Sequence, residues 1–286
     1  MSLKSPEQFN IANKAEGQAS VELDSDFIAT FSKVEDRRCF EVFLDMEERE
    51  NKEERKERMA RLFDREVASR EINDLFVFPD RKIDSRTLVA SGHKHGIETV
   101  AILFTDQEGK REICGEMDFS FYEDEGKKIL YIDAQELKEQ KTGLGLEIEC
   151  RLEKFCRDNS ISTIYTRATS SSDKKFIGAY VHALHGYEFE WPGESSSLQS
   201  ELNEYLAKRG IKIDTEIESL QRPIDFAVLK GRNREGRIVE VGKEFLTASN
   251  LNWEGRRDLA FDSPGTQDFI RYLEGKGRND LIEKYF

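Results

Sequence analysis

With 286 residues, 37% of them hydrophobic and 35% charged, the chain has material for a sizeable core beneath a charged surface, in one large domain or two. A formal net charge of −13 argues against a primarily nucleic-acid-binding protein, which needs a basic face, and is compatible with a cationic or amine-bearing substrate. No apolar run approaches the roughly 20 residues of a membrane span, and MSLKSPEQFNIANKAEGQAS lacks the apolar centre of a signal peptide, so the expectation is a cytoplasmic protein.

Residues 1–24 are polar and expected to be loosely held; 26–44 (DFIATFSKVEDRRCFEVFL) can hold a first short strand or helix. From Asp45 to Arg70 the chain is dense in charge without Gly or Pro. Met59, Leu62, Phe63 and Val67 share one helical face, and Glu48/Lys52 and Glu57/Arg61 are i,i+4 pairs. The mixed charge reads as the solvated face of a helix. FVFPDRK and SGHKHG punctuate the chain. Three β-like runs follow, ETVAILF (98–104), EICGEMDFSFY (112–122) and KILYIDA (128–134), and the short Gly-containing loops between them predict a hairpin meander.

Leu144, Ile148, Leu152, Phe155 and Cys156 recur at helical spacing, and ISTIYTRA (161–168) reads as the next strand. A helical crossover of this kind joins parallel strands. In 170–190, SSSDKKFIGAYVHALHGYEFE, a Ser/Asp cap, a short helix ending at Gly186 and a closing strand are expected. WPGESSS (191–197) reads as a linker, and 198–286 as a mainly helical C-terminal domain built from LQSELNEYLAKRG, DTEIESLQRP, RIVEVGKEFLTASN and SPGTQDFIRYLEGKG.

Between meander and helix stands Gln140-Lys141-Thr142-Gly143-Leu144-Gly145. A glycine-rich turn entering a helix presents unpaired backbone N–H groups and the positive end of the helix dipole, which is an anion site. GxxxxGK[ST] is absent, and GLGLEI lacks the third glycine of GxGxxG. The Q-x-x-G-x-G pattern, followed by an amphipathic helix, a strand, a short helix and HGYEF, resembles the GNAT acyltransferase superfamily over about 95–190, with 25–95 accommodated more loosely. Gly115 fits a glycine early in that family's third strand.

The resemblance implies an α/β fold with a mixed central sheet flanked by helices. It also implies acetyl-coenzyme A (or another acyl-CoA) as co-substrate, held by the backbone of Gln140, Lys141, Thr142, Gly143, Leu144, Gly145 and Leu146, with the pantetheine arm on a splayed preceding strand. A backbone N–H on 128–137 would polarise the carbonyl. The family's Asn after the fifth strand is replaced by ATSSSD. Its tyrosine four residues before the late glycine is His182 here, with Tyr180 two positions earlier; either can protonate a leaving thiolate.

Glu116, Asp118, Asp133 and Glu136 are candidate bases, or the solvent side of their strands; Glu116 and Asp118 share a face opposite Met117, Phe119 and Phe121. The pairs His93/His95 and His182/His185 have metal-chelating spacings, but no metal is expected. Cys39, Cys114, Cys150 and Cys156 lack CxxC spacing and read as reduced core thiols. The expected function is transfer of an acyl group, most simply acetyl, to an amine of a small molecule or protein by direct attack through a tetrahedral intermediate. The alternative is a catalytically inactive GNAT-shaped binding or regulatory protein acting through its C-terminal domain. The oligomeric state is open.

Overall fold

The structure, a computed structural model, describes residues 52–67, 69–93, 96–107, 110–137, 142–170, 178–248 and 251–286, all within one unit, Phe43–Phe286. The expectations for 1–24, for 26–44, for the start of the charged helix and for the Ser/Asp cap at 171–173 lie outside these residues.

The charged run forms α1 (Lys52–Phe63), which buries Met59, Leu62 and Phe63. It stops earlier than its periodicity predicts: Asp64 turns left-handed, and a second helix, α2 (Ser69–Asp74), follows. A 3₁₀ turn (Pro79–Arg81) leads into β1 (Ile83–His93). The predicted meander is present as β2 (Gly96–Gln107), β3 (Lys110–Asp124) and β4 (Lys127–Leu137), with β1 added antiparallel to β2. Then come α3 (Leu144–Asp158), β5 (Thr163–Thr169), α4 (Gly178–Leu184), β6 (Glu188–Phe189) and α5 (Glu194–Arg209). The chain continues through α6 (Pro223–Ala227), a small hairpin of β7 (Gly231–Arg232) and β8 (Ile238–Val239), and α7 (Val241–Ala248). It ends with β9 (Asn252–Asp258), α8 (Pro264–Gly275) and α9 (Asn279–Tyr285).

The fold is α/β. Seven strands form one mixed sheet in the order β1-β2-β3-β4-β5-β9-β6, in which the β4–β5 pairing is parallel, as expected for a helical crossover. One face carries Ala101, Met117, Phe119, Phe121, Leu130 and Ile132 against α1, α2 and α3. Phe63 of α1 meets Phe121 edge-on at 5.3 Å and Phe155 of α3 at 5.5 Å. Burying such a ring contributes about 1.5–3 kcal/mol, which fixes α3 across the meander.

The C-terminal segment is not the separate helical domain expected for 198–286. Its strand β9 is inserted between β5 and β6, so the segment completes the sheet. DTEIESLQRP gives only a 3₁₀ turn (Ile217–Ser219) before Pro223 opens α6, and RIVEVGKEFLTASN divides into β8 and α7. Among the described residues no helix is long and apolar enough to cross a membrane.

Candidate functional site

β4 and β5 pair only from Ile129↔Thr163 to Ile132↔Thr166, where the Thr166 hydroxyl donates to the Ile132 carbonyl at 3.3 Å. Beyond this rung β5 continues to Thr169 against β9, and β4 continues to Leu137 against β3. The strands therefore part. The β3–β4 register shifts at the same level: Phe119 faces Ile132 while Asp118 faces Ala134, leaving Asp133 as the extra residue of a bulge. A bulge bends its strand and re-aims side chains. Among the described residues, β4 makes no pairing with β5 beyond Ile132↔Thr166.

The glycine turn stands at the far end of this split strand. Gly143 caps α3 at φ 74°, and a Cβ there would lie 2.9 Å from Arg278 Nη1. Asp280 fixes that guanidinium through Nε and Nη2, both at 2.8 Å, so Nη1 is the nitrogen presented to the turn. At Gly145 a Cβ would crowd Leu137 Cδ1 at 3.1 Å and Gln135 Nε2 at 3.2 Å. The first-turn N–H groups of Gly145 and Leu146 have no intrahelical acceptor, and the two glycines let Leu137, Gln135 and the Arg278 guanidinium approach this helix end. Arg81 secures the turn from the other side, donating to the Thr142 carbonyl at 2.9 Å and to Glu147 at 3.1 Å. Thr142 and Gly143 lead into the first residues of α3, Leu144, Gly145 and Leu146; Gln140 and Lys141 lie outside the described residues. Gly115 sits opposite Leu137, where a Cβ would come within 2.6 Å of Cδ2.

The candidate catalytic side chains sort by sheet face. Glu116, Asp118 and Asp133 lie on the face away from α3, with Glu116 directly across from Glu136 and Asp133 accepting from the Ser120 hydroxyl at 3.3 Å. Tyr122, Tyr131 and Tyr165 share that face on adjacent strands. Glu254 of β9 joins them, accepting from Tyr131 Oη and Arg167 Nε, each at 2.9 Å. Burial, and then the Glu254 carboxylate, hold the Tyr131 phenol well above its ordinary value; burial and the neighbouring Tyr165 push Tyr122 up to about 12. These phenols stay protonated and act as donors at neutral pH.

Tyr180 and His182 lie on the α3 side but diverge around α4. The Tyr180 phenol, raised by burial and by Glu240, neighbours Tyr272 of α8. The His182 ring packs edge-on against Tyr187 at 5.0 Å, its Nδ1 buried without a partner, and burial pushes its pKa down to about 4. It is a neutral imidazole at pH 7.

Beneath it, His185 Nδ1 is 2.5 Å from Glu149 Oε2. Arg257, fully buried, pairs with Glu149 at 3.1 Å and Glu153 at 2.7 Å and donates to the His185 carbonyl at 2.6 Å. This network fastens α3 to β9 and to the end of α4. Burial alone would raise the Glu149 carboxyl, but His185 and Arg257 overcome it and hold it at about 2. Cys114, Cys150 and Cys156 are buried and not in disulfides; Cys39 and His95 lie outside the described residues.

Sequence reasoning missed Arg278, Arg81 and Glu254, each brought to the site by a long-range contact with no local signature. No family model matches this chain, and no curated protein is similar enough to match it.

Proposed function

We propose that the chain is a GNAT-type N-acyltransferase that moves an acetyl group from acetyl-coenzyme A to an amine by direct attack. The observation that supports this best is the parting of β4 from β5 at the Asp133 bulge, with the glycine turn at the end of the same strand. A thioester bound along the split has its anionic end at Gly143–Leu146 and Arg278, and its reactive end beside β4 beyond Ile132. The two faces then have separate duties. The α3 side holds the co-substrate; the opposite face, with Asp133, Glu254 and three tyrosines, receives the amine.

Within this reading, backbone N–H groups of β4 beyond Ile132 polarise the carbonyl. Asp133 takes one proton from the ammonium, and the neutral His182 passes its ring proton to the departing sulfur and regains one from the adduct nitrogen as that becomes the amide, so the thiol leaves protonated. Tyr180, half-buried beside Tyr272, is assigned no step in this reading. The test is release of free thiol from acetyl-coenzyme A across a panel of amines. Asp133→Asn and His182→Gln are each expected to lower kcat by about 10²–10⁴-fold, the usual worth of a proton-transfer group, with the KM for acetyl-coenzyme A little changed. Tyr180→Phe should stay within about twofold. Equal loss from Tyr180→Phe and none from His182→Gln would reverse the assignment.

A further inference from the structure

Just beyond the Tyr131↔Tyr165 and Ile132↔Thr166 rungs, each strand of the split carries one charged side chain on the sheet face away from α3. On β4 it is Asp133, which accepts from the Ser120 hydroxyl. On β5 it is Arg167, two residues after Tyr165, so strand alternation sets it on the same face. Glu254 of β9 stands directly across from Arg167, accepts from its Nε at 2.9 Å, and is itself held by the Tyr131 hydroxyl at 2.9 Å. The guanidinium is thus anchored by its flank. Its Nη1 and Nη2 donate no hydrogen bond among the described residues, and the side chain is half exposed. Glu254, through its hydrogen bond and its charge, raises the Arg167 guanidinium above its usual value, and Asp133 adds a smaller push in the same direction. Asp133 is close enough to be felt, yet it makes no ion pair with Arg167 among the described residues.

A carboxylate on one lip and an uncommitted planar fork on the other are complementary to a small molecule carrying both an ammonium and a carboxylate. A guanidinium fork holds a carboxylate through two parallel N–H···O bonds. Paired strands lie about 4.8 Å apart, and these lips stand where the strands have begun to diverge, a gap that the few bonds from nitrogen to carboxylate of an α-amino acid can bridge. A simple amine leaves the fork without an acceptor, and a diamine sets its second ammonium against a guanidinium. Arg256, the neighbouring guanidinium on β9, is already paired with Glu190 at 3.5 Å. We infer that the acceptor is a free amino acid, with its ammonium at Asp133 and its carboxylate on the Nη1/Nη2 end of Arg167. The inference rests on the acyltransferase reading and adds a specificity residue to it, Arg167, which Glu254 and Tyr131 position.

The test compares thiol release from acetyl-coenzyme A with three acceptors that share one side chain: the amino acid, its carboxamide, and the amine left when the carboxylate is removed. The series is run across several side chains in wild type, Arg167→Gln and Arg167→Lys, each variant checked for a cooperative melt. The carboxamide's ammonium is more acidic than the amino acid's and the simple amine's is less so, which separates a preference over both from an effect of basicity. For at least one side chain the wild type is expected to give the amino acid a kcat/KM about 10–100-fold above both partners, the effect of a charge-assisted pair. Arg167→Gln should bring that ratio close to one, and Arg167→Lys, which keeps the charge but not the fork, should retain only part of it. Amines or carboxamides turned over by the wild type as well as every amino acid, or an unchanged ratio in Arg167→Gln, would overturn the amino-acid assignment and leave acyl transfer in place. Thiol release with none of the acceptors would overturn it too, and calorimetric binding of acetyl-coenzyme A to the same preparation then shows whether the co-substrate reading survives.

Discussion

Replacing Arg257 with methionine is expected to destabilise the fold by about 3–5 kcal/mol, the cost of stranding a buried charge by removing its partner. Two carboxylates are stranded here. Glu149 and Glu153 lie on successive turns of α3, both buried, and the fully buried guanidinium between them is their shared counter-ion. Arg157 reaches Glu153 from its other oxygen at 2.6 Å, and His185 reaches Glu149, so each acid keeps one partner but loses the one that joins α3 to β9. Chemical denaturation of the variant checks the magnitude, and a loss under about 1 kcal/mol would show that the network is dispensable. Adding Glu149→Gln and Glu153→Gln should recover part of the deficit, because neutral amides need no counter-ion.

The pH dependence carries a sign. In the wild type the Glu149 carboxyl is depressed from 4.5 to about 2, so its contribution is present above about pH 4.5 and is lost as pH falls towards 2. Without Arg257 the same acids are buried with less compensation and their pKa values rise, so the variant's deficit should shrink as pH falls from 7 towards 5.

The second large effect is expected at Gly186, which closes α4 at φ 78°. A Cβ there would stand 2.0 Å from the Gly265 carbonyl oxygen, and one on Gly265 would stand 2.6 Å from the Gly186 oxygen. The two glycines lie backbone against backbone where the α4–β6 corner meets the first turn of α8. Gly186→Ala therefore incurs the left-handed backbone cost of about 1–2 kcal/mol and must also displace the main chain of α8, adding about 1–3 kcal/mol. Gly193→Ala is the control: its φ is 97°, but nothing lies within 4 Å of the added carbon, so only the backbone cost applies. If the two variants melt together, the contact between the corner and α8 carries no weight.

The meander and α3 were legible because their buried faces are apolar and regular. Met117, Phe119 and Phe121 alternate on β3, and Leu144, Ile148, Leu152, Phe155 and Cys156 all fall on the buried side of α3. β9 was not legible. Its inward residues are Trp253, Gly255 and Arg257, so the face that should look apolar contains a glycine and a charge, and only the distant acids on α3 make that charge admissible. β1 was hidden for a milder reason: Ser85 and Thr87, on the α-helical face, blur its alternation, and the neighbouring Pro79 and Gly92 read as punctuation. In the candidate site, the glycine turn stood out because it is contiguous. The split did not, because it depends on where pairing between β4 and β5 stops, and Glu254 and Arg278 reach it from more than a hundred residues away along the chain.

Calorimetric titration of the full chain with acetyl-coenzyme A, beside a Gly143→Glu variant, tests the proposed acyltransferase most directly. The substitution sets a carboxylate at the helix entry, against Arg278, where the pyrophosphate is expected to lie. Micromolar binding by the wild type, abolished in a variant that still shows a cooperative melt, is the predicted result. A wild-type chain that binds neither acetyl-coenzyme A nor free coenzyme A would contradict it, and would leave the glycine turn as an ordinary entry to α3.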